Sequence, residues 1–478
     1  MNLKCIWREG IIMSSQIARG GRLSKQRDVD MTHGNVITHI IRFSLPLLVG
    51  NLFQQLYNTV DTWVVGNYVS NEAFSAVGAV APVVNMLIGA FMGLASGAGV
   101  VISQYYGAGR NDKVHESVHT AVTMTLILTV FFTALGLFIT PYMLSFMDLH
   151  ENAVDEATTY LTIYFSGMVG LMLYNMGAGI LRAIGDSQRP FYYLVVCAVL
   201  NTVLDLVFVL IFKMGVEGVA LATILSQSVS AILVTVALLK TDSCVKLQIS
   251  KLRLHWSILK KILLVGIPAA LQMAITAFSN VFVQSYINYF DIGLPSPDYM
   301  SGWTAYLKID QLLFLPMQSI ALATTTFVGQ NLGKGQVQRA KQGVTKALLI
   351  SISATAVMMI PVMIFAPHIV GFLNNKPEVV ANGTRFLHVL TPFYLLCCFN
   401  QIYASALRGA GNSKASMFIM VGSFVLFRQL YLFCMSRICN EVIPIALSYP
   451  AGWLLCSLLT AIYYHKATLD KNRLVEDT

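Results

Sequence analysis

The residues best suited to do chemistry are three acids that lie inside long apolar segments: Asp61, Asp205 and Asp310. A charge at the centre of a membrane-spanning helix costs about 2.5–3.5 kcal/mol on insertion scales, so each acid needs a partner or a function. Asp61 lies fifteen residues after Pro46, and Asp205 lies fifteen residues after Pro190. If both prolines sit near the same membrane surface, a rise of about 1.5 Å per residue brings both carboxylates to one level, roughly 22 Å deeper.

Two carboxylates at one depth are suited to bind a coupling ion. In apolar surroundings two adjacent carboxylates cannot both stay ionised, so Asp61 and Asp205 can share one proton, or hold Na⁺ together with other oxygen ligands. Asn201 precedes Asp205 by one helical turn and shares its face. Tyr160 and Thr223 lie on the neighbouring segments and can supply hydroxyls. We predict a proton- or cation-coupling site from these five residues; the alternative is that the two acids only bond to other helices inside the bundle.

A second group of charges lies in the second half of the chain. Lys308 and Asp310 are two residues apart, so they lie on different faces of a helix and do not form a direct pair. Either residue is a candidate for binding a substrate charge or for a structural ion pair, and Arg428 is a candidate partner for Asp310. No Walker sequence is present, so ATP is not the predicted energy source, and no cofactor is predicted besides the coupling ion.

The elements that position these residues are long apolar helices. Only 12% of the 478 residues are charged and 56% are hydrophobic, whereas soluble domains contain about 25% charged residues. The sequence therefore predicts an all-α integral membrane protein, since a spanning helix needs about 20 apolar residues. The twelve predicted spans are 37–66, 73–105, 116–140, 155–181, 190–212, 217–239, 260–290, 300–329, 342–366, 381–407, 414–436 and 442–465.

The net charge of +9 is explained by membrane orientation. Most Lys and Arg residues fall in the connections on one side of the predicted spans, and excess Lys and Arg mark the cytoplasmic side. We therefore predict a multi-pass protein of the inner or plasma membrane with both termini in the cytoplasm and no nucleic-acid partner. Residues 1–36 are predicted to be a cytoplasmic tail, with translation from Met31 as the alternative.

An internal repeat divides the chain into two copies of a six-helix unit. The run QYYGAG at 104–109 returns as QNLGKG at 330–335, and LRAIGDS at 181–187 returns as LRGAGNS at 407–413, both displaced by 226 positions. Six helices per copy make the repeats parallel, an arrangement typical of transporters that bind substrate between two lobes and rock to alternate access. The predicted regions are lobes at 37–240 and 260–466, a cytoplasmic linker at 241–259 and a tail at 467–478.

At these residues the sequence resembles the multidrug and toxic compound extrusion (MATE) family, and most closely its prokaryotic DinF-type branch. The resemblance is carried by Leu45-Pro46 with QLYNTVDTW at 55–63, GILRAIGD at 179–186 and NTVLD at 201–205. It implies a V-shaped pair of lobes that export drugs or metabolites against proton or sodium entry. It also implies a first-lobe site at the five residues named above. A family asparagine falls at Ala178 here, with Asn175 nearby as a candidate substitute.

The predicted function is a secondary antiporter, not an enzyme, that exports small organic cations or amphipathic drugs in exchange for H⁺ or Na⁺. One alternative is a lipid-linked glycan flippase, which favours a cavity rich in Arg and Lys, whereas the predicted spans hold only Arg42, Lys308 and Arg428. A narrow-specificity metabolite exporter is the other alternative. A membrane-embedded enzyme and an ion channel fit less well, because no cluster of nucleophile and base is found and a channel does not require two lobes. The protein is predicted to act as a monomer in the bilayer.

Overall fold

Twelve apolar helical spans form the fold in the computed structural model, which describes residues 29–69, 71–146, 151–290, 298–439 and 441–475. Eleven are long and apolar enough to cross a membrane alone, and one more is a bent pair of helices. The described residues contain no β-strand. In chain order the spans are α1 Val36–Tyr68, α2 Asn71–Gly107, α3 Asn111–Phe146, α4 Glu151–Ser166 with Met168–Ala183, α5 Gln188–Leu206 with Val207–Ile211, α6 Val216–Lys240, α7 Trp256–Tyr289, α8 Tyr299–Gly333, α9 Val337–Ile364, α10 Pro377–Leu390 with Tyr394–Gly409, α11 Ser413–Val421 with Gly422–Phe427 and Arg428–Ile438, and α12 Val442–Ala446 with Ser448–Lys466.

Each of the twelve predicted spans coincides with one of these elements, and the predicted repeat is confirmed. Spans α1–α6 form the first lobe and α7–α12 the second. The turn after α2 contains Gly109 at φ +70°, and the turn after α8 contains Gly335 at φ +79°. The turns after α4 and α10 likewise contain Gly185 at +85° and Gly411 at +88°. Because this left-handed region favours glycine, the repeated sequence motifs encode the same two turns in both lobes.

Three spans depart from regular α-helix. Span α4 bends by 48° at Gly167, where an added Cβ would lie 1.9 Å from Ile224 of α6. Spans α5 and α11 each contain a π-helical stretch, Val207–Ile211 and Gly422–Phe427. Such stretches are rare and often occur at functional sites, because they rotate the side chains that follow.

The first half of the first helix of each lobe packs against the opposite lobe. The first half of α1, from Val36 to Leu47, packs in an apolar cluster with α8, α9 and α10 of the second lobe. The first half of α7, including Ile258 and Ile262, packs in the corresponding cluster with α2, α3 and α4 of the first lobe. Both clusters lie at the end of the molecule where the chain termini lie, which we call the termini face.

Glycines allow the lobes to approach closely at this interface. An added Cβ at Gly93 of α2 would lie 2.3 Å from the backbone nitrogen of Ala270, and one at Gly97 would lie 2.6 Å from Gly266, both on α7. An added Cβ at Gly107 would lie 1.9 Å from the carbonyl oxygen of Gln330. Side chains at these positions would therefore hold the lobes apart.

The two described chain ends pack against the termini face. Residues 1–28 of the predicted N-terminal tail lie outside the described residues, and the remainder is not free chain. Met31 is 1% exposed, and Val29 N donates to the carbonyl of Ile184 at 3.0 Å. At the other terminus Leu474 is also buried, and its carbonyl accepts a hydrogen bond from Lys261 Nζ at 2.7 Å.

Candidate functional site

The structure brings Asp61 of α1 and Asp205 of α5 together inside the first lobe. Spans α1 and α5 pack along each other, and Asp61 faces both Asp205 and Asn201 closely enough to interact with them. Asp205 and Asn201 are fully buried. The π-helical stretch of α5 begins at Val207, two residues after Asp205. The matched depths predicted from Pro46 and Pro190 therefore correspond to a real juxtaposition.

The polar atoms of this group have no partner outside the group. Both carboxylate oxygens of Asp205, Oδ1 of Asp61 and both amide atoms of Asn201 are buried, and among the described residues only these three side chains lie close enough to satisfy one another. An unsatisfied buried polar group costs about 1–3 kcal/mol, and an ionised one costs more. Five such atoms at one point form a group whose free energy falls when it takes up a proton or a cation.

Two tyrosines border the acids. Tyr160 of α4 is close enough to Asp61 and Asp205 to interact electrostatically with both. Its ring stacks on Tyr164, with ring centroids 6.1 Å apart. Tyr57 also interacts with Asp61 and is buried. The sequence analysis missed Tyr57, although its position one turn before Asp61 on α1 is a signal that could have identified it.

Two predicted polar residues bond to their own helices. Thr223 Oγ1 donates to the carbonyl of Val219 at 3.0 Å, and Asn175 Nδ2 donates to the carbonyl of Leu171 at 2.8 Å. Neither forms a hydrogen bond to the acid pair in the described structure. The hydroxyl hydrogen of Thr223 is used in the bond to Val219. In this conformation Thr223 can therefore offer a coupling ion only an oxygen lone pair.

An apolar layer lies next to the acid pair, toward the face opposite the termini. It is formed by buried valines of α1, of the π-helical stretch of α5 and of the start of α6: Val64, Val65, Val209, Val216 and Val219. Tyr160 packs against the same cluster. An apolar environment of this kind has a low dielectric constant, which strengthens electrostatic interactions at the acids.

In the second lobe, Asp310 is held by tyrosines. Its Oδ1 accepts hydrogen bonds from the hydroxyls of Tyr306, at 3.4 Å, and Tyr394, and these two hydroxyls are 3.2 Å apart. Lys308 is exposed on another face of α8, as the spacing predicted.

The suggested pairing of Arg428 with Asp310 is wrong. Arg428 Nη2 donates to Ser279 Oγ at 2.7 Å and to Asn280 Oδ1 at 2.8 Å, both on α7. No ion pair joins Arg428 to Asp310 among the described residues. The aromatic ring of Tyr449 lies beside the guanidinium of Arg428, at 4.9 Å. Arg428 lies on a helix that packs against α7, so its guanidinium reaches Ser279 and Asn280 instead of Asp310 on α8.

The chain matches a known family over both lobes. A family model described as MatE matches residues 46–207 and 268–431. A protein named "Probable multidrug resistance protein YpnP" from Bacillus subtilis is 27% identical over 435 residues, which cover 91% of this chain and 96% of that protein. A protein named "FAD transporter" from Shewanella oneidensis is 25% identical over 435 residues, which cover 89% of this chain and 93% of that protein.

A solved structure supports the same fold. It is described as an outward-facing conformation of a multidrug resistance MATE family transporter of the MOP superfamily. Its TM-score with this chain is 0.85 at 24% identity, over 92% of this chain and 98% of that one. The arrangement of twelve helices therefore extends over nearly the whole described length.

Proposed function

Because the chain belongs to the MATE family, whose members are membrane transporters and not enzymes, we propose that it is a secondary antiporter. It exports cationic or amphipathic drugs or metabolites in exchange for H⁺ or Na⁺, and its lobes rock to alternate access. The observation that carries the coupling role is the cluster of five unsatisfied polar atoms on Asp61, Asn201 and Asp205. A site that only stabilised the fold would be expected to satisfy these atoms.

The residues present fit either coupling ion. Two carboxylates and the amide oxygen of Asn201 supply the oxygen ligands that a hard cation prefers. One proton shared between Asp61 and Asp205 removes the repulsion between them equally well. The hydroxyl of Tyr160 lies near both acids and can donate to whichever oxygen remains charged.

The route for substrate lies between the lobes on the face opposite the termini. Beyond Gln55, α1 exposes the polar side chains of Asn58, Thr59 and Thr62, and α7 exposes Asn280 and Gln284. Polar side chains in apolar spans usually face water or protein and not lipid. We assign these residues to a cleft that opens to the outside, with the termini face in the cytoplasm, as the positive charges near that face predict.

The transport cycle follows from these positions. In the outward-open state a proton or cation enters the first lobe, neutralises Asp61 and Asp205, and thereby favours release of substrate to the outside. The lobes then separate at the termini face and close at the opposite face. The coupling ion leaves to the cytoplasm, the acids regain their charge, and cytosolic substrate binds. Relatives with multidrug names support a broad substrate range.

The test is ethidium transport, measured as efflux from whole cells or as uptake into inverted membrane vesicles, for the wild type, Asp61→Asn and Asp205→Asn. A proton gradient and a sodium gradient are imposed in turn. We expect efflux under one of the two gradients and its loss in both variants, with membrane insertion unchanged. Unimpaired drug-stimulated ion flux in both variants would contradict the coupling role.

A narrow-specificity metabolite exporter is the second candidate. It is favoured by the relative named as an FAD transporter, which this chain matches over 93% of that protein's length. The same assay separates the two candidates, because a narrow exporter would leave ethidium inside the cell under either gradient. Export of a flavin nucleotide that depends on Asp205 would then support the narrow function.

A further inference from the structure

We propose that Arg428 forms an anion-binding site in the second lobe that takes a carboxylate or phosphate group of the transported substrate. This inference rests on the proposed transport function, because it names the substrate chemistry of the same transporter. It assigns zwitterionic or anionic amphipathic molecules to a protein for which cations are the expected substrates.

The first observation is that Arg428 is a buried cation with neutral neighbours. The residue is only 3% exposed. Its two hydrogen bonds go to a hydroxyl and an amide oxygen, on Ser279 and Asn280. No Asp or Glu forms an ion pair with it in the part of the chain that the structure describes. A buried charge in a membrane protein is costly without a counter-charge, so an anionic ligand stabilises this site.

The second observation is that much of the guanidinium remains available. Arginine has five N–H donors, and both of its hydrogen bonds use the same nitrogen, Nη2. Its Nε is buried and has no acceptor among the described residues. A guanidinium N–H that has no acceptor can donate a charge-assisted hydrogen bond to an oxygen of a carboxylate or a phosphate. The unsatisfied Nε therefore points to an oxyanion.

The third observation is that the guanidinium is held in place. Ser279 Oγ donates to the carbonyl of Phe424, within the π-helical stretch of α11, at 2.9 Å, and accepts from Gln429 Nε2 at 3.0 Å. The same oxygen accepts the bond from Arg428. The ring of Tyr449 lies beside the cation on another side. A cation fixed on three sides loses little further freedom when it binds a ligand.

The site lies next to the proposed substrate cleft. Asn280, whose amide oxygen bonds Arg428, is exposed on α7. In the first lobe, the equivalent helices α1 and α5 bring Asp61 and Asp205 together. The two lobes therefore present opposite charges at their equivalent helix pairs, acids in the first and an arginine in the second. A zwitterion is the class of molecule that complements both.

The experiment measures binding of two forms of one dye to the purified full-length protein in neutral detergent, by fluorescence anisotropy and without an ion gradient. Rhodamine 6G is an ethyl ester and a cation, and rhodamine 19 is the same dye with a free carboxylate. We compare the wild type with Arg428→Gln and Asn280→Asp. Arg437→Gln is the matched control, because Arg437 is an exposed arginine of the same helix that also lies over an aromatic ring.

We expect Arg428→Gln to weaken binding of the acid about tenfold relative to the ester, as the loss of a charge-assisted hydrogen bond implies. Asn280→Asp should have the same effect, because the new carboxylate occupies Arg428, and it adds no bulk that would prevent folding. Arg437→Gln should leave the ratio unchanged. An unchanged ratio in both Arg428→Gln and Asn280→Asp, or a wild type that binds neither dye, would overturn the proposal.

Two further measurements distinguish a substrate site from a lipid site, and the anion site from the proposed antiport. Phosphatidylglycerol that displaces rhodamine 19 but not rhodamine 6G from the wild type would assign the site to a lipid headgroup and overturn the substrate assignment. Absence of displacement supports the substrate. A wild type that binds the acid through Arg428 but transports neither dye under any gradient would refute the proposed antiport and leave the anion site intact.

Discussion

Gln104 and Gln330 occupy equivalent positions in the two lobes, and each donates a hydrogen bond to a backbone carbonyl of the opposite lobe. Gln104 Nε2 bonds the carbonyl of Gly409 at 2.8 Å, and Gln330 Nε2 bonds the carbonyl of Ala183 at 2.9 Å. Both glutamines are fully buried. The two copies of the internal repeat are therefore joined at the termini face by two equivalent hydrogen bonds, one donated by each lobe.

The other amide atom of each glutamine binds a chain end. Met31 N donates to Gln330 Oε1 at 2.9 Å, and Leu474 N donates to Gln104 Oε1 at 2.7 Å. Each glutamine thus joins its own lobe, the opposite lobe and one terminus. These contacts must break when the lobes separate at the termini face, so they stabilise the closed state of the proposed cytoplasmic gate.

Gln104→Ala and Gln330→Ala are each expected to loosen this face. Each substitution leaves a buried backbone carbonyl and a backbone N–H without partners, at a cost of about 1–3 kcal/mol. Closure should weaken by about 5- to 150-fold in equilibrium terms. The measurement is maleimide labelling of Ser103→Cys, a buried position at the lobe interface, in a cysteine-free background. Gln342→Ala, an exposed glutamine of α9, is the control, and equal labelling in all four proteins would contradict the expectation.

Gly107→Ala and Gly333→Ala are expected to prevent closure by overlap of atoms. The added Cβ would lie 1.9 Å from the Gln330 carbonyl oxygen in the first variant and 2.0 Å from the Gln104 carbonyl oxygen in the second. Because both contacts are with backbone, no side chain can move aside. We expect inserted protein that transports no dye and exposes Ser103→Cys to maleimide. Gly78→Ala is the control and should behave as wild type, because it lies on the same helix as Gly107 and its new Cβ would have nothing within 4 Å. Transport by both interface variants would refute the close approach of the lobes at Gly107 and Gly333.

The helical framework and the acid pair were predictable because strong local signals specify them. Apolar runs of membrane-spanning length identified all twelve spans, and two motifs at a fixed displacement identified the repeat. The pairing of Asp61 with Asp205 followed from their equal distances to two prolines, since helical rise converts residue number into depth.

The features that the sequence did not reveal depend on tertiary contacts. The bend at Gly167 lies where α4 approaches Ile224 of α6 closely, and no periodicity encodes this bend or the two π-helical stretches. The partner of Arg428 was wrongly assigned because the sequence does not show that this part of α11 packs against α7. The polar residues 29–35 resembled a free tail, because the contacts that hold Met31 come from Gln330, about 300 positions away.

Tyr160→Phe is expected to weaken ion coupling without abolishing it. The substitution removes the hydroxyl next to Asp61 and Asp205 but keeps the ring that packs on Tyr164. If this hydroxyl donates to an acid in the ion-bound state, as proposed, loss of that hydrogen bond of about 1 kcal/mol raises the ion concentration for half-maximal efflux by about fivefold. Tyr164→Phe, which alters the stacked partner one turn away, is the control. Equal ion dependence in Tyr160→Phe and the wild type would exclude Tyr160 from the site.

Asp205→Asn is expected to raise thermal stability while it abolishes coupling. The wild type buries two adjacent carboxylates with unsatisfied oxygens, and the isosteric amide removes one charge. A gain of about 1 kcal/mol corresponds to a rise in Tm of roughly 2–4 °C for a unit of 150–250 residues. Thermal unfolding in detergent provides the measurement, with Asp242→Asn as a control at an exposed loop position. A lower Tm in Asp205→Asn would mean that the acid stabilises the fold instead.

Asp30→Asn is expected to weaken the N-terminal contact in a pH-dependent manner. Partial burial acts to raise the pKa of Asp30, but hydrogen bonds from the hydroxyl and backbone N–H of Thr32, and the neighbouring His33, outweigh it and hold the pKa below the usual 3.8. A carboxylate with a lowered pKa stabilises the folded state above its unfolded pKa and loses this effect as the pH falls through the folded value. The Tm of Asp30→Asn should therefore lie below that of the wild type at neutral pH. The gap should narrow below about pH 4 and stay small throughout, because half of the Asp30 side chain is exposed and screened by solvent. A gap that widens toward low pH would contradict the assigned role of the Asp30 carboxylate.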